Sequence, residues 1–351
     1  MSTIAVAMSG GVDSSVTAAL LKQQGHEVIG ITMRLFAPHS SGIGSAVHDA
    51  AVVAGHLGIP HHVANFAPDF SRLIIGDFIE EYRAGHTPNP CVRCNRYIKF
   101  GLLLDTAREL GADLLATGHY VRKTVDPSGN CHLRTARNIR KDQSYFLYTL
   151  TQQQMQQVIF PLGDMESKDE VRRLAREFAL PVAEKSDSQE VCFIPKDDYV
   201  AFLEASGELC RLDGDIIHQN GQIVGRHNGT HRYTIGQRKG LGIAWSEPLY
   251  VAAIDVARNV IIVGEQHSVY AGGLHAETVK WIVAPGADTF AATCKIRYRH
   301  QPVSCQVRLL AGDRCEVTFE QPQKAVTPGQ ALVFYQGDEV LGGGRIVKAL
   351  E

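Results

Sequence analysis

The chain has 351 residues, of which 44% are hydrophobic and 21% are charged, and its formal net charge is −2. These values are typical of an ordinary globular protein of two or three domains, and the charge alone does not indicate a nucleic-acid binder. A membrane-spanning helix needs about 18 consecutive apolar residues, and no apolar run of this chain approaches that length. The N-terminus lacks a signal-peptide pattern. We therefore expect a cytoplasmic protein with no membrane partner, whose eight cysteines are mostly reduced.

The first 120 residues alternate between strand-like and helix-like segments. The predicted strands are residues 4–8, 28–33, 61–66 and 113–119, and the predicted helices are residues 16–21, 47–57, 70–82 and 98–110. Such alternation is typical of a parallel sheet that is covered by helices on both faces, so an α/β fold is predicted. Ligands of these sheets lie beyond the carboxyl ends of the strands.

The turn between the first strand and the first helix is a predicted anion site. Residues 9–15 read Ser-Gly-Gly-Val-Asp-Ser-Ser, and a helix N-terminus offers free backbone N–H groups and the positive end of its dipole. Gly10 and Gly11 let the backbone approach a phosphate closely. Asp13 would repel a phosphate unless it caps the helix or a cation lies between the two. The segment is not a Walker A loop, because no Gly-Lys-Ser/Thr follows, and the alternative is an ordinary turn before a helix.

The pattern changes along the chain after the first 200 residues. Residues 167–178 predict a helix, with Ser167 at the cap and Glu170 in the capping-box position. Beyond about residue 210, short strand-like runs are separated by Gly, Asn and Asp, which indicates small barrels or sandwiches. These runs are residues 222–224, 249–254, 260–263, 303–310 and 331–335.

Basic residues are concentrated in three windows that contain no acidic residue. The windows are residues 127–141, 216–246 and 289–312. Together they could form a surface that binds the phosphates of a nucleic acid. The alternative is that these basic residues are scattered over solvated surfaces.

Two cysteine segments are candidates for chemistry. Cys91 and Cys94 form a Cys-x-x-Cys pair after Asn89-Pro90, at the start of a predicted helix, where the helix dipole lowers the pKa of a thiol. A single pair is compatible with a dithiol switch, an iron–sulfur site or half of a zinc site, and no second pair follows. Cys192 lies in the polar segment 185–195, although a lone buried cysteine is usually inert.

Taken together, these segments closely resemble the bacterial tRNA-specific 2-thiouridylases of the PP-loop ATP pyrophosphatase superfamily. The resemblance covers essentially the whole chain and includes residues 9–15, 33, 89–95, 116–120, 141–147, 187–194, 229–240 and 297–299. It implies a PP-loop parallel-sheet domain followed by two small β-rich domains. The implied division is a catalytic domain with a helical extension at 1–207, a central β-rich domain at 208–273 and a tRNA-binding C-terminal β-barrel at 274–351.

The resemblance implies ATP-dependent 2-thiolation of the wobble uridine of tRNA. ATP, with Mg²⁺, would adenylate the uracil 2-oxygen, and a persulfide on Cys192 would deliver sulfur. Cys94 would be the partner thiol, either reducing the persulfide or forming a disulfide with Cys192. The implied partner is a persulfide donor protein that is fed by a cysteine desulfurase. The implied ATP contacts are Ala7, Met8, Ser9, Gly10, Gly11, Val12, Asp13, Ser14, Ser15, Met33 and Gly118. The implied substrate contacts are Asn89, Pro90, Cys91, Lys141, Asp142, Gln143, Arg297 and Tyr298.

One position departs from the family pattern. Many members have Asn-Pro-Asp where this chain has Asn89-Pro90-Cys91, so no acid–base role is transferred to Cys91. Two roles remain open for Cys91: a thiol that helps resolve the persulfide, or a third ligand beside Cys94 and Cys192 for an iron–sulfur cluster. Another PP-loop ligase would leave the cysteines unexplained. An RNA-binding module with a redox-sensing Cys-x-x-Cys would leave residues 9–15 unexplained.

Overall fold

The computed structural model describes residues 1–36, 43–186 and 191–350, with the side chains of residues 43–45 left aside. Residues 187–190 of the segment that resembles the sulfur-carrier region lie outside the described residues, whereas Cys192 is described. The α-helices are α1 Val12–Gln23, α2 Ile43–Leu57, α3 Ala67–Phe70, α4 Gly76–Arg83, α5 Pro90–Arg93, α6 Leu103–Glu109, α7 Gln152–Gln156, α8 Lys168–Glu177 and α9 Tyr199–Ala205.

The strands fall into three sheets. Those of the first 160 residues are β1 Thr3–Ala7, β2 Glu27–Arg34, β3 His61–Asn65, β4 Leu114–Ala116, β5 Val121–Val125, β6 Cys131–Thr135 and β7 Val158–Ile159. Those of the central region are β8 Gly214–His218, β9 Ile223–His227, β10 Tyr250–Asp255 and β11 Val260–Gly264. The last are β12 Tyr270–Trp281, β13 Thr289–Lys295, β14 Val303–Leu310, β15 Arg314–Lys324, β16 Ala331–Gln336 and β17 Glu339–Leu350.

The N-terminal domain is built on a parallel sheet with the strand order β3-β2-β1-β4-β7. Successive residues of β1 point to opposite faces, so Ile4 and Val6 pack in one core while Ala5 packs in the other. Chain order reverses between β1 and β4, which makes the carboxyl end of β1 the switch point where ligands of such sheets bind. The α/β prediction is confirmed.

Two continuous helical segments of this domain contain π-helical turns. The segment Ser71–Ile75 joins α3 to α4, and the segment Cys94–Leu102 joins α5 to α6. In π-helical winding the backbone hydrogen bonds span five residues rather than four, and such turns are frequent at functional sites. The sequence pattern predicted regular helices here, because side-chain periodicity alone does not show a local change in winding.

The C-terminal domain is a closed barrel. Six strands follow the order β12-β15-β14-β13-β16-β17, and pairing of β12 with β17 closes the ring around a core of buried apolar side chains. Between the N-terminal domain and this barrel, the central sheet has the order β10-β11-β8-β9. In the part of the chain that the structure describes, no helix is long and apolar enough to cross a membrane.

A hairpin of the N-terminal domain is part of the barrel sheet. Strands β5 and β6 pair with each other, and β6 pairs with β17 through Leu133 and Val340. Arg134 donates to Asp338 over 2.6 Å, which strengthens the junction. The sequence pattern did not predict this hairpin, and it places Arg134, a member of the first basic window, in an internal ion pair.

Candidate active site

The loop after β1 has the geometry of an anion cradle. Gly10 has a φ of 69°, and a Cβ at this position would overlap the carbonyl oxygen of Ala46. The N–H of Ser9 donates to Oγ of Ser14 over 3.1 Å, and the hydroxyl of Ser15 donates to the carbonyl of Gly11 over 2.8 Å. These contacts hold the loop in shape, with the N-terminus of α1 directly behind it.

The carboxylate of Asp13 is held by two side chains that lie far away in the sequence. The hydroxyl of Tyr120 donates to Asp13 Oδ1 over 2.6 Å, and Nζ of Lys168 donates to the same oxygen over 2.7 Å. The N-cap residue is Gly11, and no side chain caps α1, so of the two alternatives for Asp13 the structure excludes helix capping. An ammonium group of this chain supplies the neighbouring positive charge. Nothing in the spacing of Lys168 signalled this contact.

The remaining predicted ATP contacts lie on the same edge of the sheet. Gly118 follows β4, and a Cβ there would approach within 3.0 Å of the backbone nitrogen of Ser14, so only glycine fits without a shift. Met33 lies near the carboxyl end of β2, and the carbonyl of Met8 accepts from the hydroxyl of Thr32 over 2.9 Å. The structure therefore gathers residues 7–15, Met33 and Gly118 around one edge.

A second lysine ties this loop to the segment that leads to Cys192. Nζ of Lys185 donates to the carbonyl of Gly10 over 3.0 Å and to Oδ2 of Asp49 over 2.6 Å. The two motifs are therefore in contact through Lys185, a link that sequence spacing does not show.

The three predicted cysteines come together in one region. Cys94 is buried at the start of the π-helical segment, whereas Cys91 and Cys192 are exposed. All three are close enough for the charge on one thiolate to raise the pKa of another. Phe193 and Ile194 anchor the chain beside Cys192, because they pack in the same apolar core as Cys94.

The thiols are held in their protonated form at neutral pH. Cys91 and Cys192 expose part of their residue surface, but protein surrounds most of each of the three sulfur atoms. The resulting desolvation raises the pKa of Cys94 to about 11 and that of Cys192 to about 12, and it also raises the pKa of Cys91. The lowered pKa expected for a thiol at a helix N-terminus is wrong. Helix α5 has only four residues, and the cost of burying a thiolate exceeds the effect of so short a helix.

Lys99 is the cation that acts on all three thiols. Its charge lowers the pKa of Cys91, Cys94 and Cys192 against the effect of burial. Residues five apart on an α-helix point about 140° away from each other. The π-helical winding between Cys94 and Leu102 instead places Lys99 one turn beyond Cys94.

Lys99 also reaches the strand end that carries Gly118. Its Nζ lies 3.4 Å from Nε2 of His119, and Nδ1 of His119 lies 2.8 Å from the hydroxyl of Thr117. Burial, together with Lys99, holds the pKa of His119 well below its usual range, so the ring is neutral and its Nε2 accepts from the ammonium. One chain of contacts therefore links the nucleotide edge to the thiols.

An iron–sulfur cluster on these cysteines was one of the alternatives. Across residues 1–36, 43–186 and 191–350, no three His, Cys, Asp or Glu side chains are grouped as metal ligands. We therefore derive no step through a cluster.

The predicted substrate contacts share one surface beside the thiols. Asn89 accepts from the N–H of Val92 over 3.4 Å and lies close enough to the hydroxyl of Tyr145 to affect its pKa, and that hydroxyl donates to the carbonyl of Ala331 over 2.7 Å. The hydroxyl of Tyr298 donates to the carbonyl of Asp142 over 3.1 Å. Aromatic contacts between residues 145, 146 and 298 join these segments. The structure thus brings together the three stretches 89–91, 141–143 and 297–298.

The barrel holds the segment that carries Asn89. Nε2 of Gln330 donates to the carbonyl of Thr87 over 2.8 Å, and the N–H of Thr87 donates to the carbonyl of Pro328 over 2.9 Å. Gly329 lies against this segment, since a Cβ there would meet Cβ of His86 at 2.9 Å. Residues 86–89 are therefore positioned by the C-terminal domain.

Asp142 and Gln143 also use their side chains internally. The carboxylate of Asp142 is buried and accepts from the N–H of Ala136 over 2.9 Å and from the hydroxyl of Ser144 over 2.7 Å. Oε1 of Gln143 accepts from the N–H of Tyr120 over 2.9 Å. Both side chains thus stabilise the loop that carries Lys141, and their contact with substrate stays a prediction.

Long-range ion pairs neutralise part of each basic window. Besides Arg134, the paired residues are Arg226 with Asp215, Arg232 with Glu204, and Arg308 with Glu316. By contrast, Arg238, Arg297 and Arg299 are exposed. Acid-free stretches of sequence therefore overstate the positive surface, because acids outside those stretches fold against them.

A parallel sheet with a glycine-rich anion loop at its switch point, followed by β-rich domains, defines a PP-loop protein of the HUP class. Family models agree: the tRNA methyl transferase HUP domain matches residues 2–196, the tRNA methyl transferase PRC-barrel domain matches 201–265, and the aminomethyltransferase beta-barrel domain matches 271–346.

Curated relatives make the assignment more specific. The tRNA-specific 2-thiouridylase MnmA of Pelobacter propionicus is 68% identical over 99% of this chain and 98% of its own length. The protein of the same name from Trichlorobacter lovleyi is 67% identical over 99% and 98%, and that of Geobacter metallireducens is 55% identical over 99% and 97%. The chain belongs to the tRNA-specific 2-thiouridylase family, which confirms the resemblance found in its motifs.

Proposed function

We infer that this chain is a tRNA sulfurtransferase that catalyses the ATP-dependent 2-thiolation of uridine in tRNA. The observation that carries the inference is the meeting of an anion loop and three thiols in one site, in a chain 68% identical to a curated 2-thiouridylase. Either feature alone would be compatible with other chemistry. The two together match a reaction that must both activate an oxygen and deliver sulfur.

The first step activates the base. The 2-oxygen of the wobble uracil attacks the α-phosphorus of MgATP, an O–P bond forms, and pyrophosphate leaves. The backbone N–H groups of residues 9–15 and the N-terminus of α1 stabilise the negative charge that develops on the phosphates. Met33 and Gly118 complete the proposed ATP contacts. The uracil oxygen thereby becomes part of AMP, a good leaving group.

The second step replaces that oxygen with sulfur. A partner protein, supplied by a cysteine desulfurase, loads Cys192 with a persulfide. The terminal sulfur attacks C2 of the base, the C–O bond breaks and AMP leaves. Cys94 then gives its proton to solvent and attacks Sγ of Cys192. A Cys94–Cys192 disulfide forms, the old S–S bond breaks, and its electron pair stays on the sulfur of the 2-thiouridine.

The surface formed by Asn89 and Tyr298, above the buried Tyr145, is the proposed entrance for the base. Asn89, Pro90 and Cys91 would line the pocket, while Lys141, Asp142, Gln143, Arg297 and Tyr298 would contact tRNA beside it. Their shared surface supports this assignment. A base that reacts at such a site must leave its stack. The enzyme would act in the cytoplasm, where its tRNA substrate is found.

The proposal is tested by mass spectrometry of tRNA nucleosides after incubation with ATP and a sulfur source. We expect 2-thiouridine to form with the natural chain and with Cys210→Ser, which changes an exposed cysteine outside the cluster. Cys192→Ser should abolish thiolation and leave ATP binding intact. Full sulfur incorporation by Cys192→Ser would exclude the persulfide route.

The iron–sulfur alternative has its own discriminating measurement. The persulfide route predicts thiolation by protein that contains no iron. Anaerobic purification followed by iron analysis and visible absorption tests this. Stoichiometric iron that is lost in Cys91→Ser, together with activity that depends on it, would replace the persulfide route.

A further inference from the structure

A cavity of about 370 Å³ lies between the N-terminal domain and the barrel. Its walls include Asn89 of the base-entrance segment, Arg96 and Tyr97 of the π-helical segment, and Thr278 and Ala331 of the barrel. The cavity therefore exists only because the two domains are docked. Its volume lies in the range of small-molecule pockets and is suited to a single nucleotide.

Helix α5 separates this cavity from the thiols. Val92 lines the cavity, while Cys91 and Cys94 on either side of it face the thiol cluster. No cysteine of the described residues lines the cavity. The target uracil must reach the thiols, so it is not the occupant of this space.

One cation of the cavity remains available to an anion. Arg93 pairs with Asp77 over 2.9 Å, and Arg345 pairs with both Glu81 and Glu277. Arg96, by contrast, has no ion pair with any acid of the described residues. Its guanidinium lies 4.9 Å from the centre of the Tyr97 ring, and that of Arg93 lies 5.2 Å from the same centre.

Arg96 and Tyr97 form the kind of wall on which the bases of single-stranded RNA stack. Nucleobases stack on aromatic rings and on guanidinium planes, and a guanidinium without an acidic partner binds phosphate strongly. We propose that this cavity is a subsite for a nucleotide next to the target uridine in the anticodon loop. The base stacks on the Arg96–Tyr97 wall, and its phosphate faces Arg96. The subsite rests on the proposed function, because it holds a neighbour of the reacting base.

The subsite contributes to the affinity for RNA and to the positioning of the target uridine, and it does not discriminate between bases. Stacking tolerates every base, because each has a π-face. Holding the neighbour while the target enters the thiol site would keep the uridine extruded from its stack. The barrel contributes by lining the subsite and by holding Thr87 through Gln330.

The experiment measures binding of synthetic anticodon stem–loops that contain the target uridine. One stem–loop keeps all its bases, and each of the others carries an abasic residue at one position next to the target uridine. For the natural chain, we expect one such abasic residue to weaken binding about tenfold, the effect of losing one stacked base. Arg96→Gln and Tyr97→Leu, tested separately, should each bind the intact RNA about tenfold more weakly. In these variants, the abasic residue at that flanking position should cause no further loss of affinity.

Salt dependence gives a second measurement. Loss of one phosphate contact in Arg96→Gln should reduce the slope of log K against log salt by about 0.7. Tyr97→Leu should leave the slope unchanged. The matched control is Arg173→Gln, because Arg173 is exposed on α8 and paired with Glu177. This control should bind every RNA like the natural chain, and retained ATP binding verifies that each variant is folded.

Several results would overturn the subsite. Equal binding of intact RNA by both variants and the natural chain would do so, as would defects that multiply with every abasic substitution. Either outcome would leave the proposed function standing if the intact stem–loop still binds and is thiolated. Failure of the natural chain to bind any uridine-containing stem–loop would overturn the proposed function, and the subsite with it.

Discussion

The ATP edge and the thiol cluster of this molecule are assembled in different ways. The loop at residues 9–15 is one contiguous segment, and its hydrogen bonds join Ser9 to Ser14 and Ser15 to Gly11. The thiol side combines residues 87–99, 141–146, 192–194 and 297–298, with barrel residues 328–331 behind them. The loop of the first half is shaped by its own local hydrogen bonds and by contacts within the N-terminal domain, whereas the second half depends on tertiary contacts between domains.

This difference has a consequence for experiments. A defect in the local half should remove ATP binding while leaving the thiols in place. A defect in the docking of the barrel should leave ATP binding intact and impair the use of tRNA. Substitutions that affected both halves equally would contradict the separation.

The largest effect is expected for Gly10→Ala. The positive φ and the overlap of a Cβ with the carbonyl of Ala46 force the loop to move. Such strain and displacement should weaken ATP binding about a hundredfold, measured by calorimetry. The matched control is Gly25→Ala, since Gly25 has a φ of 86° but nothing within 4 Å of a Cβ. Equal loss in the two variants would assign the effect to general destabilisation.

Gly329→Val is expected to impair the thiol half of the site. Its φ is 90°, and its side chain would push against His86 and Thr87, displacing the segment that carries Asn89. Thiolation of tRNA should fall about thirtyfold, because small misplacements of substrate are costly. ATP affinity should not change. Gly312→Val is the control, because Gly312 has positive φ in an open barrel turn. Loss of ATP binding in Gly329→Val would contradict the separation of the halves.

A smaller effect is expected at Lys168. Lys168→Met removes the ammonium next to Asp13 and should weaken ATP binding about tenfold, as for loss of one charged hydrogen bond. Combining it with Asp13→Asn distinguishes two roles. If Lys168 only neutralises Asp13, the second substitution restores affinity. If Lys168 also contacts phosphate, the defect persists. No change in ATP affinity in the single variant would exclude both roles.

The smallest effect is expected at Lys99. Its charge opposes the desolvation that raises the pKa of Cys94 to about 11. Lys99→Met should raise that pKa further, by about half a unit. Because the thiolate fraction falls accordingly, alkylation of Cys94 by iodoacetamide at pH 8 should slow about threefold. For every variant the rate should rise with pH, because only the thiolate reacts.

Two comparisons control the Lys99 measurement. Lys99→Arg keeps the charge and should preserve the rate at Cys94. Cys210 is exposed and outside the cluster, so its alkylation should be the same in all variants. An unchanged rate at Cys94 in Lys99→Met would show that burial alone sets the reactivity of this thiol.

The order of residues was enough to predict the α/β fold, the anion loop and the motifs that place the chain in its family. These are properties of contiguous segments, where apolar periodicity, glycines and short-range hydrogen bonds are visible in the order of residues. The partners of Asp13, the pairing of β6 with β17 and the protonation of the thiols became visible only in the folded chain. Each of these depends on groups distant in sequence, because burial and ion pairing arise from packing. For the same reason, the effect of Lys99 on Cys94 appeared only when the winding between them was known.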